Sequence, residues 1–303
     1  MICVCSHDAG GAEILASYVA KYELNCNFVL AGPAIDIFIK KLGNIHLMDL
    51  NEGIQKSDEL ICSTSWQSNL EWDAIGVARQ YSKKVITFLD HWGHYEDRFI
   101  RNGEKRLPDE IWVGDLEAKS LAIKCFPKIP IKLVANPYFD EIRREILARK
   151  VELSIFSSIP KHGLSILFIS EPLADHGLKG FGDTLYWGYT EDQALHYFHQ
   201  HRYVLGAVIH QVVVRPHPSE VIEKYSWVKE VFGEQYFISN GKSLIDDIIE
   251  CDIVVGFQSM AMMVALLAGR RVISCIPPGG ISCCLPHQEI ESMQELIRID
   301  VDV

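Results

Sequence analysis

The sequence lacks a basic excess. Its 29 Lys and Arg stand against 40 Asp and Glu, a formal net charge of −11, so it lacks the electrostatic footprint that general nucleic-acid binding requires. An anionic small molecule is still allowed, because a local pocket can be positive on a negative protein. No apolar run approaches the ~18–20 residues that a membrane-spanning helix needs. The opening MICVCSHDAGG has no basic segment ahead of its apolar residues and is expected to enter a strand, not to be a cleaved secretory signal. The nine cysteines show no metal-type spacing. Cys3, Cys5, Cys62 and Cys275 fall in apolar runs and read as reduced core thiols of a cytoplasmic protein, and the adjacent Cys283 and Cys284 read as incidental. There is no G-x-S-x-G nucleophile elbow and no G-x-x-x-x-G-K-[ST] phosphate loop. The run Asp8-Ala9-Gly10-Gly11-Ala12 is not a dinucleotide fingerprint, and Leu30-Ala31-Gly32 carries no ribose-binding acid. These absences argue against a serine hydrolase, a P-loop ATPase and a dehydrogenase.

What is present is a globular composition, 48% hydrophobic and 23% charged over 303 residues, a length suited to two domains of ~150 residues. Short continuous apolar runs alternate with helical patterns. Residues 2–6, 28–30, 46–50, 60–63, 85–89 and 110–113 read as strands, with helices at 12–22, 35–42, 70–81 and 117–125. The alternation restarts with strands at 164–170, 212–215, 236–239, 253–256 and 272–276 and helices at 191–208, 244–251 and 260–268. Uninterrupted apolar strands separated by helices mean parallel sheets covered on both faces. The expected fold is α/β, two Rossmann-like domains with parallel sheets facing across a cleft. Residues 1–136 form the first domain and 164–303 the second. Residues 137–163, with a charged helix at 141–150 and a turn-rich tail, form the hinge.

Open α/β sheets bind ligands at the carboxyl ends of their strands. In the second half, Val212-Val213-Val214 leads into Arg215-Pro216-His217-Pro218. A cation and an imidazole held by two prolines suit a phosphate or carboxylate; the same residues also fit a rigid strand exit. The next strand, Asp252 to Gly256, runs through Phe257 and Gln258 to Ser259, an N-cap residue type at the start of an apolar helix and so at a ready anion site. Glu171-Pro172-Leu173 follows residues 164–170 and opens a stretch with Gly177, Gly180 and Gly182, read as either a ligand-approaching turn or a mobile surface loop. Pro277 ends the strand at 272–276. In the first half, His7 and Asp8 precede Gly10 and Gly11. Asp8 fits a general base or a helix cap. Ser63-Thr64-Ser65 is a hydroxyl-rich exit, with Ser65 a candidate acceptor contact alongside Gly10 and Gly11. Asp90, His91 and Trp92 open an aromatic and polar stretch suited to a sugar. Asp90, His91 and His94 lack a recognised zinc spacing, and no metal is expected. His196, His199 and His201 read as a solvated helix face.

The strand followed by Arg215–Pro218 and the helix start at Ser259 resemble the nucleotide half of GT-B fold glycosyltransferases. The likeness is to bacterial polysialyltransferase-like and CDP-glycerol transferase-like enzymes of surface-glycan synthesis, and it covers roughly residues 164–280. It implies that His217 and Ser259 contact the phosphates of a sugar nucleotide, of CMP or CDP type, and that an acid beside a glycine, as Asp8 is, serves as base. The helix 260–268 departs from the pattern, having Val264 where many GT-B enzymes carry a ribose-binding Glu. Glu191 and Glu220 are candidate substitutes. The full expectation is glycosyl transfer to a glycan or other hydroxyl acceptor, needing no cofactor. His7 and Asp8 would be catalytic, and Glu171, Arg215, His217, Gly256, Gln258, Ser259 and Pro277 would surround the nucleotide. A sugar-nucleotide hydrolase or 2-epimerase, or a non-catalytic nucleotide- or glycan-binding protein, are the alternatives.

Overall fold

The Val-, Ile- and Leu-rich runs pair as parallel strands, and the central ones are buried on both faces, as continuous apolar segments must be. The computed structural model describes residues 1–66, 68–156 and 163–301. The chain divides into two units, Met1–Glu141 and Ile142–Val303.

In the first unit the strands are β1 (Ile2–Ser6), β2 (Cys26–Leu30), β3 (Glu59–Cys62), β4 (Lys84–Leu89), the short β5 (Ile100–Arg101) and β6 (Glu104–Lys105), β7 (Glu110–Val113) and β8 (Ile131–Leu133). The helices are α1 (Ala9–Tyr22), α2 (Pro33–Leu42), α3 (Leu50–Gln55), α4 (Leu70–Gln80) and α5 (Leu116–Cys125). Six strands form one parallel sheet in the order β2-β1-β3-β4-β7-β8, while β5 and β6 pair as an antiparallel hairpin. The chain leaves β1 towards β2, then crosses back to β3. The order therefore reverses between β1 and β3, and their carboxyl ends flank a topological switch point, where open α/β sheets hold ligands. Phe28, Phe38, Ile14, Leu15, Ile86 and Phe88 fill the core on one side of this sheet.

Helix α6 (Pro137–Phe156) carries the chain onward, and the division between the units falls within it. Pro137 sits at its first position, where a missing N–H costs nothing, and Asn136 Oδ1 accepts the Tyr138 N–H at 3.1 Å. Much of the expected hinge is thus helix; its tail at 157–162 lies outside the described residues.

The second unit repeats the plan. Its strands are β9 (Leu164–Ile169), β10 (Ile209–Arg215), β11 (Tyr236–Ile238), β12 (Ile253–Gly256), β13 (Arg271–Ser274) and β14 (Ile290–Ser292). Its helices are α7 (Leu173–Phe181), α8 (Glu191–His201), α9 (Val228–Phe232), α10 (Leu244–Glu250), α11 (Met260–Leu267) and α12 (Met293–Val301). The parallel order is β11-β10-β9-β12-β13-β14, and the switch point lies between β9 and β12. Phe168, Phe198 and Phe257 pack around it with ring centroids 5.7 and 5.8 Å from Phe168. All three are fully buried, each contributing roughly 1.5–3 kcal/mol of burial.

Four local expectations are corrected. Residues 46–50 do not form a strand. Only Leu47 bridges Phe28, because the Asp49 carboxylate accepts the N–H groups of Asn51 and Glu52 and starts α3 instead. The glycine-rich stretch after β9 is not a loop throughout but contains α7. A Cβ on Gly177 would lie 2.4 Å from the Asp183 carbonyl oxygen, and Gly182, at φ 74°, ends the helix. Helix α8 stops at His201, passing into a 3-10 turn over Arg202–Leu205 that Gly206 closes at φ 67°. The histidines of α8 are not simply solvated, since His196 stacks on Trp227, and His199 stacks on Phe232 and bonds the Tyr236 hydroxyl.

Candidate functional site

At the first switch point the exits of β1 and β3 are knitted by carboxylates. Asp8 stands at the N-cap position of α1, but its side chain makes no cap bond. It reaches across to the β3 exit instead. Oδ1 meets Ser65 Oγ at 2.6 Å and His7 Nδ1 at 2.7 Å, and Oδ2 accepts the Trp66 N–H at 2.9 Å. A carboxylate has about four acceptor positions, so three donors among the described residues leave one, on Oδ2. His7 lies across Gly32, whose hypothetical Cβ would fall 2.6 Å from His7 Nε2.

Beneath this pair lies Glu71, which the sequence reading did not single out. It is 2% exposed. Its Oε1 accepts the His7 N–H at 2.7 Å and the Ser63 hydroxyl at 3.2 Å, while Ser63 Oγ also meets Ser6 Oγ at 2.7 Å. Burial above all, helped by the Asp8 charge and opposed by hydrogen bonds from His7 and Ser63, pushes its carboxyl up to about 7. In sequence Glu71 looks like a solvated helix residue between Leu70 and Trp72. Only the packing of the first turn of α4 under the β1 and β3 exits buries it.

Several residues expected to meet an acceptor are committed elsewhere. Gly10 and Gly11 serve close packing: a Cβ would lie 2.7 Å from Asp90 Oδ2 at Gly10 and 2.2 Å from Ser63 Cβ at Gly11. Ser65 is buried, donating to Asp8 and accepting the Ser68 N–H. Asp90 forms a buried ion pair with Arg98 at 3.1 Å, with Thr64 bridging them. Burial raises its carboxyl and the Arg98 charge opposes that rise. Trp92 is buried, its Nε1 donating to both oxygens of Asp115. His91 is half-buried, with Nδ1 accepting the Gly93 N–H at 3.2 Å. Gln67, beside Trp66, lies outside the described residues.

At the second switch point the exits of β9 and β12 meet directly. Glu171 Oε1 accepts the backbone N–H groups of Gln258 and Ser259 at 2.9 and 2.8 Å. Burial raises the Glu171 carboxyl, against the pull of those bonds. Glu171 thus spends this oxygen on the backbone donors of the β12 exit. It occupies the position an anionic oxygen would take at the start of α11. Ser259 holds the N-cap position without a side-chain cap bond. Gly256 is required for packing, since a Cβ would lie 2.7 Å from Met262 Sδ. Pro277 is half-buried, its carbonyl accepting the Gly280 N–H in the turn after β13.

On the other flank of β9, His217 Nδ1 accepts the Ser219 N–H at 3.2 Å and meets Ser219 Oγ at 2.8 Å. This fixes the neutral tautomer with its proton on Nε2. Burial, then the facing His176 ring, lowers the His217 pKa, so Nε2 is a neutral donor at pH 7. Arg215 is a correction. Its guanidinium turns towards α10, pairing with buried Asp247 at 2.5 Å and donating to the Lys242 carbonyl oxygen at 3.1 Å. Glu220 and Glu191 are also unsuited to holding a ribose, being 1% and 2% exposed at the side chain and both paired with Lys224. Glu220 Oε2 accepts the His217 N–H at 2.9 Å and Oε1 the Tyr225 hydroxyl at 2.9 Å, which locks the His217 loop.

No protein-family profile matches the chain, and no curated protein matches it in sequence. Solved structures do resemble it. UDP-GlcNAc 2-epimerase from Neisseria meningitidis, bound to UDP-GlcNAc, superposes with a TM-score of 0.62 at 11% identity, covering 99% of this chain and 90% of its own. S. aureus MnaA, solved with UDP, gives 0.60 at 11% identity, over 99% and 87%. UDP-GlcNAc 2-epimerase from Methanocaldococcus jannaschii gives 0.59 at 11% identity, over 100% and 92%. At such identities the likeness concerns the fold, which is the GT-B fold: α/β, with two six-stranded parallel sheets among the described residues. No helix among them is long and apolar enough to cross a membrane.

Proposed function

We propose that this chain is a nucleotide-sugar enzyme that transfers a glycosyl group to a hydroxyl acceptor. The observation that carries the reading is the pair of N–H groups of Gln258 and Ser259 converging on one anionic oxygen at 2.9 and 2.8 Å. They sit at the β9–β12 switch point, and His217 leaves the strand on the other side of β9. A diphosphate oxygen in place of Glu171 Oε1 would meet the same two donors, and His217 Nε2–H would supply a third. Fixed donors of this kind stabilise charge developing on a leaving phosphate. In the first unit, the acceptor position of Asp8 Oδ2 left open among the described residues suits removal of a proton from an attacking hydroxyl. The reaction is a single displacement: the acceptor oxygen bonds to the anomeric carbon, the bond to the nucleotide phosphate breaks, and the acceptor proton passes to Asp8. The resemblance of Arg215–Pro218 and Ser259 to polysialyltransferase-like and CDP-glycerol transferase-like enzymes supports this order of roles.

A second reading, chemistry on the sugar nucleotide alone, is favoured by the superposition on three proteins solved as UDP-GlcNAc 2-epimerases or with UDP. Incubating the protein with CMP-, CDP- and UDP-sugars separates the two. Transfer predicts an intact donor until a hydroxyl acceptor is added, then release of nucleotide with glycosylated product. Epimerised or hydrolysed donor without acceptor would establish the second reading and overturn the first.

A further inference from the structure

Glu71 has one oxygen saturated and one bare. Oε1 takes the His7 N–H and the Ser63 hydroxyl, while Oε2 is buried without a hydrogen-bond partner among the described residues. A purely structural clamp on the His7 N–H needs only Oε1, and a neutral amide would serve it as well. A permanently ionised carboxylate with a bare buried oxygen would bear the full desolvation cost of that oxygen. The arrangement suits a carboxyl that exchanges a proton. Its bonded neighbour is the residue before Asp8, and the Asp8 charge is among the influences that raise it.

We propose that Glu71 is a positioning residue for the His7–Asp8 pair. It fixes the β1 exit through the His7 N–H, and by gaining or losing its proton it sets the field in which the Asp8 carboxylate works. This rests on the reading of Asp8 as the base. The titratable groups facing Glu71 come from every element packed on it. Strand β1 and its exit contribute Cys5, His7 and Asp8. Strand β3 contributes Cys62. The β5–β6 hairpin contributes Arg101, whose guanidinium is set against Glu71, Asp8, Arg98 and Asp73. Burial pushes both thiols up, Cys62 to about 12, so they stay neutral. The active charges are the carboxylates, Arg98 and Arg101.

The direction of the pH effect follows from linkage. The Glu71 carboxyl lies at about 7 when folded against an ordinary 4.5. The folded chain therefore keeps a proton that the unfolded chain releases, and this contribution is complete below about pH 4.5 and lost as pH rises to about 7. Burial also raises Asp90, Glu171 and Asp192, so the informative quantity is the difference between wild type and Glu71→Gln, which keeps the Oε1 acceptor.

Thermal unfolding of both proteins is followed from about pH 4 to 9, with the Glu71 side-chain carboxyl carbon titrated by NMR in the wild type. The expected result is that Glu71→Gln gains in Tm on wild type between about pH 4.5 and 7 and is level thereafter. The Glu71 carboxyl carbon should show its inflection near 7 in the wild type. Superposable pH dependences, or a Glu71 inflection at the ordinary 4.5, overturn the proposal. Ser63→Ala, which removes one donor to Oε1, should move the inflection upward, and no movement counts against the proposal even if Glu71→Gln fails to fold. Turnover separates the two layers. If Asp8→Asn is fully active, the base reading fails. If Asp8 is required but the Glu71→Gln pH–rate profile superposes on wild type, the positioning role fails while the base reading stands.

Discussion

Replacing Asp8 should reduce turnover by about 10²–10⁴-fold, the range a positioned general base contributes, while leaving nucleotide affinity nearly unchanged. The two effects separate because Asp8 belongs to the first unit, whereas the proposed donor contacts, His217, Gln258 and Ser259, belong to the second. Asp8→Asn is the sharper variant. Its amide oxygen can still accept from Ser65 and His7, so the tie between the β1 and β3 exits largely persists, but it cannot take up the acceptor proton. Asp8→Ala also removes that tie and should lower Tm as well. Measuring kcat with saturating donor, beside nucleotide Kd, checks both variants. Full turnover in Asp8→Asn would show that the carboxylate only braces the sheet edge.

Arg215→Met should destabilise the second unit by about 3–5 kcal/mol, the cost of stranding one member of a buried ion pair. Asp247 is almost fully buried and would keep the Ser239 hydroxyl but lose the guanidinium 2.5 Å away. Adding Asp247→Leu should restore most of the loss, because it removes the stranded charge. Denaturant unfolding of the single and double variants tests this. If Arg215 were instead a direct phosphate ligand, Arg215→Met would leave unfolding unchanged and weaken nucleotide binding.

Those two residues also mark how far the sequence could be read. The parallel sheets were legible because β4, β9, β10 and β12 each contain consecutive apolar residues, and such segments are stable only when covered on both faces. The strand exits followed from the sheets, and with them His7, Asp8, His217 and Ser259. What the exits bond to was not legible. Arg215 reads as a phosphate ligand until Asp247, 32 positions on, is seen packed beside it. Glu171 reads as a ligand contact until β12 brings two N–H groups to its oxygen. Glu191 and Glu220 read as ribose acceptors until Lys224 is found paired with both. Glu71 carries no local signal, because its burial comes from α4 docking on strands distant in sequence. Gly10, Gly11 and Gly256 read as ligand contacts, but the atoms that approach them in the fold are Asp90, Ser63 and Met262.

The central claim is that the β9–β12 edge of the second unit holds the phosphates of a nucleotide. A thermal-shift screen of the full chain with CMP, CDP, UDP, GDP and ADP, repeated on His217→Ala, tests it most directly. A nucleotide at ~100 times its Kd should stabilise the wild type by about 2.7 kcal/mol. In His217→Ala the affinity should fall roughly 10–100-fold, as expected for losing a hydrogen bond to a charged group of ~1.5–3 kcal/mol. Stabilisation by one nucleotide, weakened in the variant, is the predicted result. No stabilisation by any of the five, or stabilisation that His217→Ala leaves intact, would contradict the account.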